Sequence, residues 1–138
     1  MATRGPIHSV MASFLIICGA VLGGAGICAA TLFAHVVASV CSSPVQARNW
    51  EVAVRSWLVH AIVILVAGVL LLAPQAQAVR GTLAAAGVLF LVGTLLFSGC
   101  LAIFAISGRI IFAAIAPLGS ITLLVGWGVL VYSGFGIR

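Results

Sequence analysis

The residues able to do chemistry here are few: the histidines at 8, 35 and 60, the single acid Glu51 and the arginines at 4, 48, 55, 80, 109 and 138, with no Asp and no Lys. Paired-carboxylate acid/base catalysis takes two acids, and the chain has one. A Ser-His-acid relay needs a group to orient the histidine; Asn49 and Glu51 are the nearby candidates, and no serine lies in a G-x-S-x-G elbow. No P-loop, H-E-x-x-H or dinucleotide fingerprint occurs. This inventory predicts a protein that is not an enzyme and has no catalytic residues.

Three arrangements remain open for the polar residues. His60 reads either as a neutral imidazole bonded to a hydroxyl or carbonyl on a neighbouring helix, or as a proton relay or ligand contact. His35 and His60 together would be the pair for a haem held between the first two spans, but nothing else in the chain favours a macrocycle, and no cofactor is expected. Arg48, Glu51 and Arg55 fall on one helical face as an Arg-Glu-Arg line, with Arg55 placed to snorkel or pair. Cys18, Cys28, Cys41 and Cys100 show no C-x-x-C spacing, so neither a disulfide nor a metal site is inferred.

The solvent is set by composition. Of the 138 residues, 64% are hydrophobic and 5% charged, with a mean hydropathy of +1.41. About 20 apolar residues cross a bilayer as a helix, so the chain has room for four spans in a single domain over 1–138. The net charge of +5 marks helix ends and lipid phosphates. Without basic runs or interleaved aromatics it does not form a nucleic-acid footprint.

The expected spans are about 10–40, 46–73, 82–106 and 110–132, an all-α integral membrane protein with an up-down antiparallel four-helix bundle and a kink at Pro117. The first resembles a secretory signal (Arg4, then FLIICGAVLGG, then CAA) but is expected to be retained as a span. Gly19, Gly23, Gly26, Ala30 and Ala34 share one face of it, opening with a G-x-x-x-G pair suited to close helix approach. In CSSPVQARNW, 41–50, Ser43 before Pro44 reads as a cap and first helical position. Trp50 and Trp57 mark interfacial depth. SGR, 107–109, is a tight turn.

This topology puts the first and third connections on one side, with His35, His60, Arg48, Glu51, Arg55 and Arg109 near it. The arginine count between the two sides is three against three, and only the signal-like first span favours both termini inside. Pro117 should lie about 12 Å into the last span, with FSGC, 97–100, at similar depth and Ser98 available to it. Pro117, Gly119 and Ser120 are expected to face the bundle and touch a neighbouring helix.

FAH at 33–35, HAI at 60–62, FSGCLAIFAISG at 97–108 and AAIAPLGSITLLVGW at 113–127 together resemble the domain of unknown function 423 family. These small four-helix membrane proteins include the eukaryotic transmembrane protein 256. The likeness covers roughly 15–130. By it, His35, His60, Ser98, Gly99, Pro117, Gly119, Gly126 and Trp127 match motif positions. The first motif departs from the family's GAFGAH, with Thr31, Leu32 and Phe33 ahead of Ala34 and His35. The resemblance implies a fold and a membrane location, in bacteria or mitochondria, and no activity.

Two functions follow as expectations. The first is an accessory or structural subunit of a larger inner-membrane complex, such as a respiratory one, in the bacterial inner membrane or alternatively the mitochondrial one, with lipid and protein partners or further copies on its small-residue faces. The second is a small transporter, channel or ligand-binding protein using the His35, His60 and Arg109 side.

Overall fold

The computed structural model describes residues 6–32, 35, 36 and 38–136, with residues 6–8 and 38 described by backbone alone. Arg4, Arg138, Phe33 and Ala34 therefore lie outside the described residues. The elements are α1 (Pro6–Leu32), the short α2 (Ala38–Val40), α3 (Pro44–Leu70), a 3₁₀ turn (Pro74–Val79), α4 (Arg80–Thr94), a π turn (Leu95–Gly99), α5 (Cys100–Ser107) and α6 (Ile110–Phe135). No strand occurs among the described residues. Four helical runs are long and apolar enough to cross a membrane, namely Ser9–Leu32, Pro44–Leu70, Pro74–Ser107 and Ile110–Phe135. Only a minority of the residues in each run are buried inside the chain, so most of the apolar surface faces outward, as lipid requires.

Local sequence explains the boundaries. Ser43 is extended (φ −151°, ψ 154°) and its hydroxyl accepts from the Gln46 backbone N–H, with Pro44 as the first helical residue of α3. This is the cap read from the sequence. α1 is described to Leu32 and the short α2 spans Ala38–Val40; the join between them includes residues outside the described set. Gly108 ends α5 in the left-handed conformation (φ 67°), where a Cβ would strain, and its N–H bonds the Phe104 carbonyl at 2.8 Å. The chain can then turn into α6 at once.

Glycines set how close the helices come. A Cβ at Gly19 would meet Leu65 N at 2.7 Å and Ala61 O at 2.9 Å, and one at Gly68 would meet Ile16 N at 2.9 Å and Ala12 O at 3.0 Å. α1 and α3 thus touch backbone to backbone. Gly26 admits Leu58, whereas Gly23 is looser, with Ala61 Cβ at 4.0 Å. The small-residue face of α1 is accordingly occupied by α3 of the same chain. α6 packs in the same manner on the run from α4 to α5, Gly93 receiving Leu123, Gly126 receiving Phe90, and Gly119 pressed against Phe97.

The main core gathers Leu15, Ile64, Leu71, Leu83 and Phe90, all at most 2% exposed. Smaller clusters nearer the first connection join Trp50, Val54 and Ala105, and Ala53, Leu101 and Ala116. The first and third connections meet, since Cys41 Sγ lies 3.6 Å from the Ala105 carbonyl and Gly108 sits beside Gln46. At the other end Ser133 Oγ donates to Thr82 Oγ1 at 2.7 Å.

Candidate functional site

The faces of α3 and α6 that flank α5 and the π turn enclose a groove of about 520 Å³, lined by Asn49 and Val52, Phe97 and Leu101, and Pro117 and Ser120 among others. Each helix presents residues three or four apart, the spacing of a single helical face. Continued along the chain, these faces carry Ser56 and His60 on α3 and Trp127 on α6. His60, Phe90 and Trp127 form an aromatic cluster drawn from three helices. The His60 ring lies 5.9 Å from Phe90 and 6.3 Å from Trp127, centroid to centroid, at 34° and 65°. Phe90 and Trp127 are 5.1 Å apart at 74°, an edge-to-face arrangement that the ring quadrupoles favour.

His60 Nδ1 lies 2.8 Å from the Ser56 carbonyl and 3.2 Å from the Ser56 hydroxyl. A carbonyl only accepts, so Nδ1 carries the hydrogen, and in the neutral ring Nε2 is the free acceptor. The imidazole is therefore held by its own helix one turn back, correcting the expectation of a bond to a neighbouring helix. The ring turns toward α4 and α6, so it is not aimed at α1 as a haem clasped between α1 and α3 would need.

On α3, His60 lies five residues past the exposed Arg55, about 7.5 Å at the helical rise. Trp127 lies about 12 Å from Phe135 at the end of α6.

The remaining expected positions are not gathered with His60. His35, in a π-helical stretch, and Arg109, directly ahead of α6, are exposed. Arg55 is exposed and borders a separate hollow with Ala30, Trp50, Glu51, Val54 and Leu58. Arg48, Glu51 and Arg55 are all exposed, and among the described residues no ion pair joins them. Their shared face brings like and unlike charges into water or headgroups, where pairing gains little. Among the described residues no three His, Cys, Asp or Glu side chains cluster as metal ligands, and the four cysteines are free thiols.

Of Pro117, Gly119 and Ser120, only Gly119 is buried against a neighbouring helix; Pro117 is exposed and Ser120 half-buried, both on the groove. The expectation for Pro117 fails for a geometric reason. Residues two apart on an α-helix point about 200° away from each other at 3.6 residues per turn, so Pro117 and Gly119 cannot face one neighbour. Ser98 is fully buried in the π turn and its Oγ has no partner, so it does not serve Pro117. Gly99 is half-buried with open space where a Cβ would stand.

Sequence reasoning missed the π turn and Phe90. The turn has no simple signal, since LLFSG is compatible with ordinary helix. Phe90 is one apolar residue in an apolar run, and its place under His60 and Trp127 depends on the register of three helices.

A family model described as "Protein of unknown function (DUF423)" matches residues 28–120. The chain belongs to this family. His60, the π turn and Pro117 fall within the matched segment, and Trp127 lies beyond it. No curated protein and no solved structure matches the chain.

Proposed function

We propose that this DUF423 member is a non-enzymatic integral membrane protein that works by packing, as an accessory or structural subunit of a larger inner-membrane complex. A respiratory assembly is one such complex, in the bacterial inner membrane or, alternatively, the mitochondrial one. The observation that carries the reading lies on α1. While Gly19 and Gly26 are engaged by α3, Ala20, Gly24 and Cys28 are exposed along a second line four residues apart, and a Cβ at Gly24 would meet nothing within 4 Å. Such a line permits close approach by a further helix. The lone acid, Glu51, is exposed and, nine residues along α3 from His60, lies on the opposite face of that helix, which supports a non-catalytic role.

In this reading the four spans form an up-down antiparallel bundle. The order of contacts supports it: Gly26, Gly19 and the pair Ile16 and Ala12 meet Leu58, Ala61 and Gly68 in turn, rising along α3 as α1 descends. Pro117 lacks the N–H that would bond the Ala113 carbonyl, and a bend of α6 there belongs to the same reading.

The test is purification of the native protein in a mild detergent. A second protein copurifying with the wild type, and lost from Gly24→Ile at unchanged thermal stability, is the expected result. Recovery of this chain alone would overturn the proposal. The second reading, a transporter, channel or ligand-binding protein on the His35, His60 and Arg109 side, draws support only from His60, because His35 and Arg109 are exposed.

A further inference from the structure

We infer that the hollow where the first and third connections meet binds the phosphate of a membrane phospholipid, held by the N-termini of α3 and α6 and by the Gln46 carboxamide. This site is independent of the α1 surface invoked above.

The hollow has a volume of about 370 Å³ and is lined by Ser42, Val45 and Gln46 from the start of α3, by Ser107 and Gly108, and by Ile110 at the start of α6. It lies at the ends of three membrane runs, since one begins at Pro44, one ends at Ser107 and one begins at Ile110. That is the level of lipid headgroups.

The unmet groups there are donors. The first N–H groups of a helix have no partner within it and carry the positive end of its dipole. In α3, Pro44 has no N–H, and those of Gln46 and Ala47 are taken by the Ser43 hydroxyl and carbonyl, which leaves Val45. In α6, the Phe112 N–H goes to the Arg109 carbonyl, which leaves Ile110. Val45 and Ile110 both line the hollow. The negative end of α5 is capped from within, because its Ile103, Phe104 and Ala105 carbonyls receive the Ser107 hydroxyl, the Gly108 N–H and the Cys41 thiol.

Gln46 is the independent sign of a ligand. The residue is only 7% exposed and yet forms a wall of the hollow. Its Oε1 accepts from Ser43 Oγ at 3.3 Å, whereas among the described residues its Nε2 donates to nothing. This amide nitrogen points across to the opposite wall, where a Cβ at Gly108 would stand 3.1 Å from it. A buried polar side chain with a free donor directed into a polar hollow calls for an acceptor. A phosphate supplies several charged acceptor oxygens, which helix N-termini favour. Among the described residues no acid lines the hollow to repel it; Glu51 borders a separate one. The apolar share of the lining, with Val45, Ile106 and Ile110 all exposed, suits the acyl chains of a lipid rather than a free phosphate.

The probes are dioctanoyl phosphatidylglycerol, dioctanoylglycerol, which lacks the phosphate, and glycerol phosphate, which lacks the chains. Each is added to the full-length protein in a maltoside detergent, with binding followed by equilibrium dialysis and by the ¹⁵N–¹H signals of the Ile110 amide and the Gln46 carboxamide. The phospholipid is expected to bind saturably, one per chain, and to shift both signals. It should bind roughly tenfold or more tighter than either other probe, the weight of a hydrogen bond to a charged group. Gln46→Glu keeps the oxygen that receives Ser43, removes the Nε2 donor and adds a negative charge, so it should abolish the preference over dioctanoylglycerol. Ile110→Pro removes one hollow-facing N–H at the first helical position, where proline is favoured. It should leave the unfolding midpoint unchanged or higher and weaken phospholipid binding several-fold, with dioctanoylglycerol unaffected. If one variant does not fold, the other decides. Dioctanoylglycerol or glycerol phosphate binding as tightly as the phospholipid, a preference intact in either folded variant, or no saturable phospholipid binding would each overturn the inference.

Discussion

Gly119 in α6 and Phe97 in the π turn meet backbone to backbone. A Cβ at position 119 would collide with the Phe97 amide nitrogen and stand 2.7 Å from its Cα and 2.8 Å from the Leu96 carbonyl carbon. No flexible side chain can yield there, so two main chains would have to separate. The contact sits where α4 passes into α5, and it fixes α6 alongside Phe97 and thereby sets the width of the groove above.

Gly119→Ala is therefore expected to destabilise the folded protein by about 2 kcal/mol or more, in the range of overpacked cores. Gly128→Ala, where a Cβ meets nothing within 4 Å, is the control and should be neutral or slightly stabilising through helix propensity. Thermal unfolding of both variants in the same detergent provides the comparison. Similar midpoints for the two would mean that α6 can shift away from Phe97 freely.

The architecture was legible in the sequence because lipid imposes a strict rule: every backbone group must be paired internally, so apolar runs of sufficient length are helices. The ends were legible where local chemistry decides them, as at Ser43, Pro44 and Gly108. The candidate site was legible only in pieces. His60, Pro117, Ser120 and Trp127 stood out as polar, ring-bearing or helix-breaking residues in apolar runs, but which way each faces depends on the rotation of its helix about its own axis. Small residues fix that rotation, and Gly19, Gly68 and Gly119 do so through backbone contacts whose partners the sequence does not name. Pro117 was misplaced for this reason, and the π turn adds a residue's worth of rotation to everything after Leu95.

Ser98 gives a prediction of the opposite sign. Its hydroxyl is fully buried and without a partner, whereas Thr94 one turn earlier donates to the Phe90 carbonyl at 2.6 Å. Removing an unmet buried hydroxyl relieves a desolvation cost, while removing a bonded one forfeits about 1 kcal/mol. Ser98→Ala should leave the unfolding midpoint unchanged or raise it, and Thr94→Ala should lower it. A loss of more than about 2 kcal/mol in Ser98→Ala would mean that the hydroxyl is satisfied in the membrane, by water held in the π turn.

Pro117 tests the relation between the helix defect and the groove. The ring is exposed on the groove wall, so Pro117→Ala removes little packing, and it supplies the N–H that the Ala113 carbonyl lacks. In water, a proline inside a helix costs about 3 kcal/mol relative to alanine; in a membrane part of that is recovered by neighbouring groups. The expected result is a protein that keeps its helical content and gains roughly 1 kcal/mol or more. Circular dichroism and thermal unfolding in detergent would measure both. If Pro117→Ala is instead less stable than the wild type, a bend at this residue is needed to bring Gly119 onto Phe97. A straightened α6 would then widen the groove at Ser120 and move Trp127 away from His60, and fluorescence from the indole would report that movement directly.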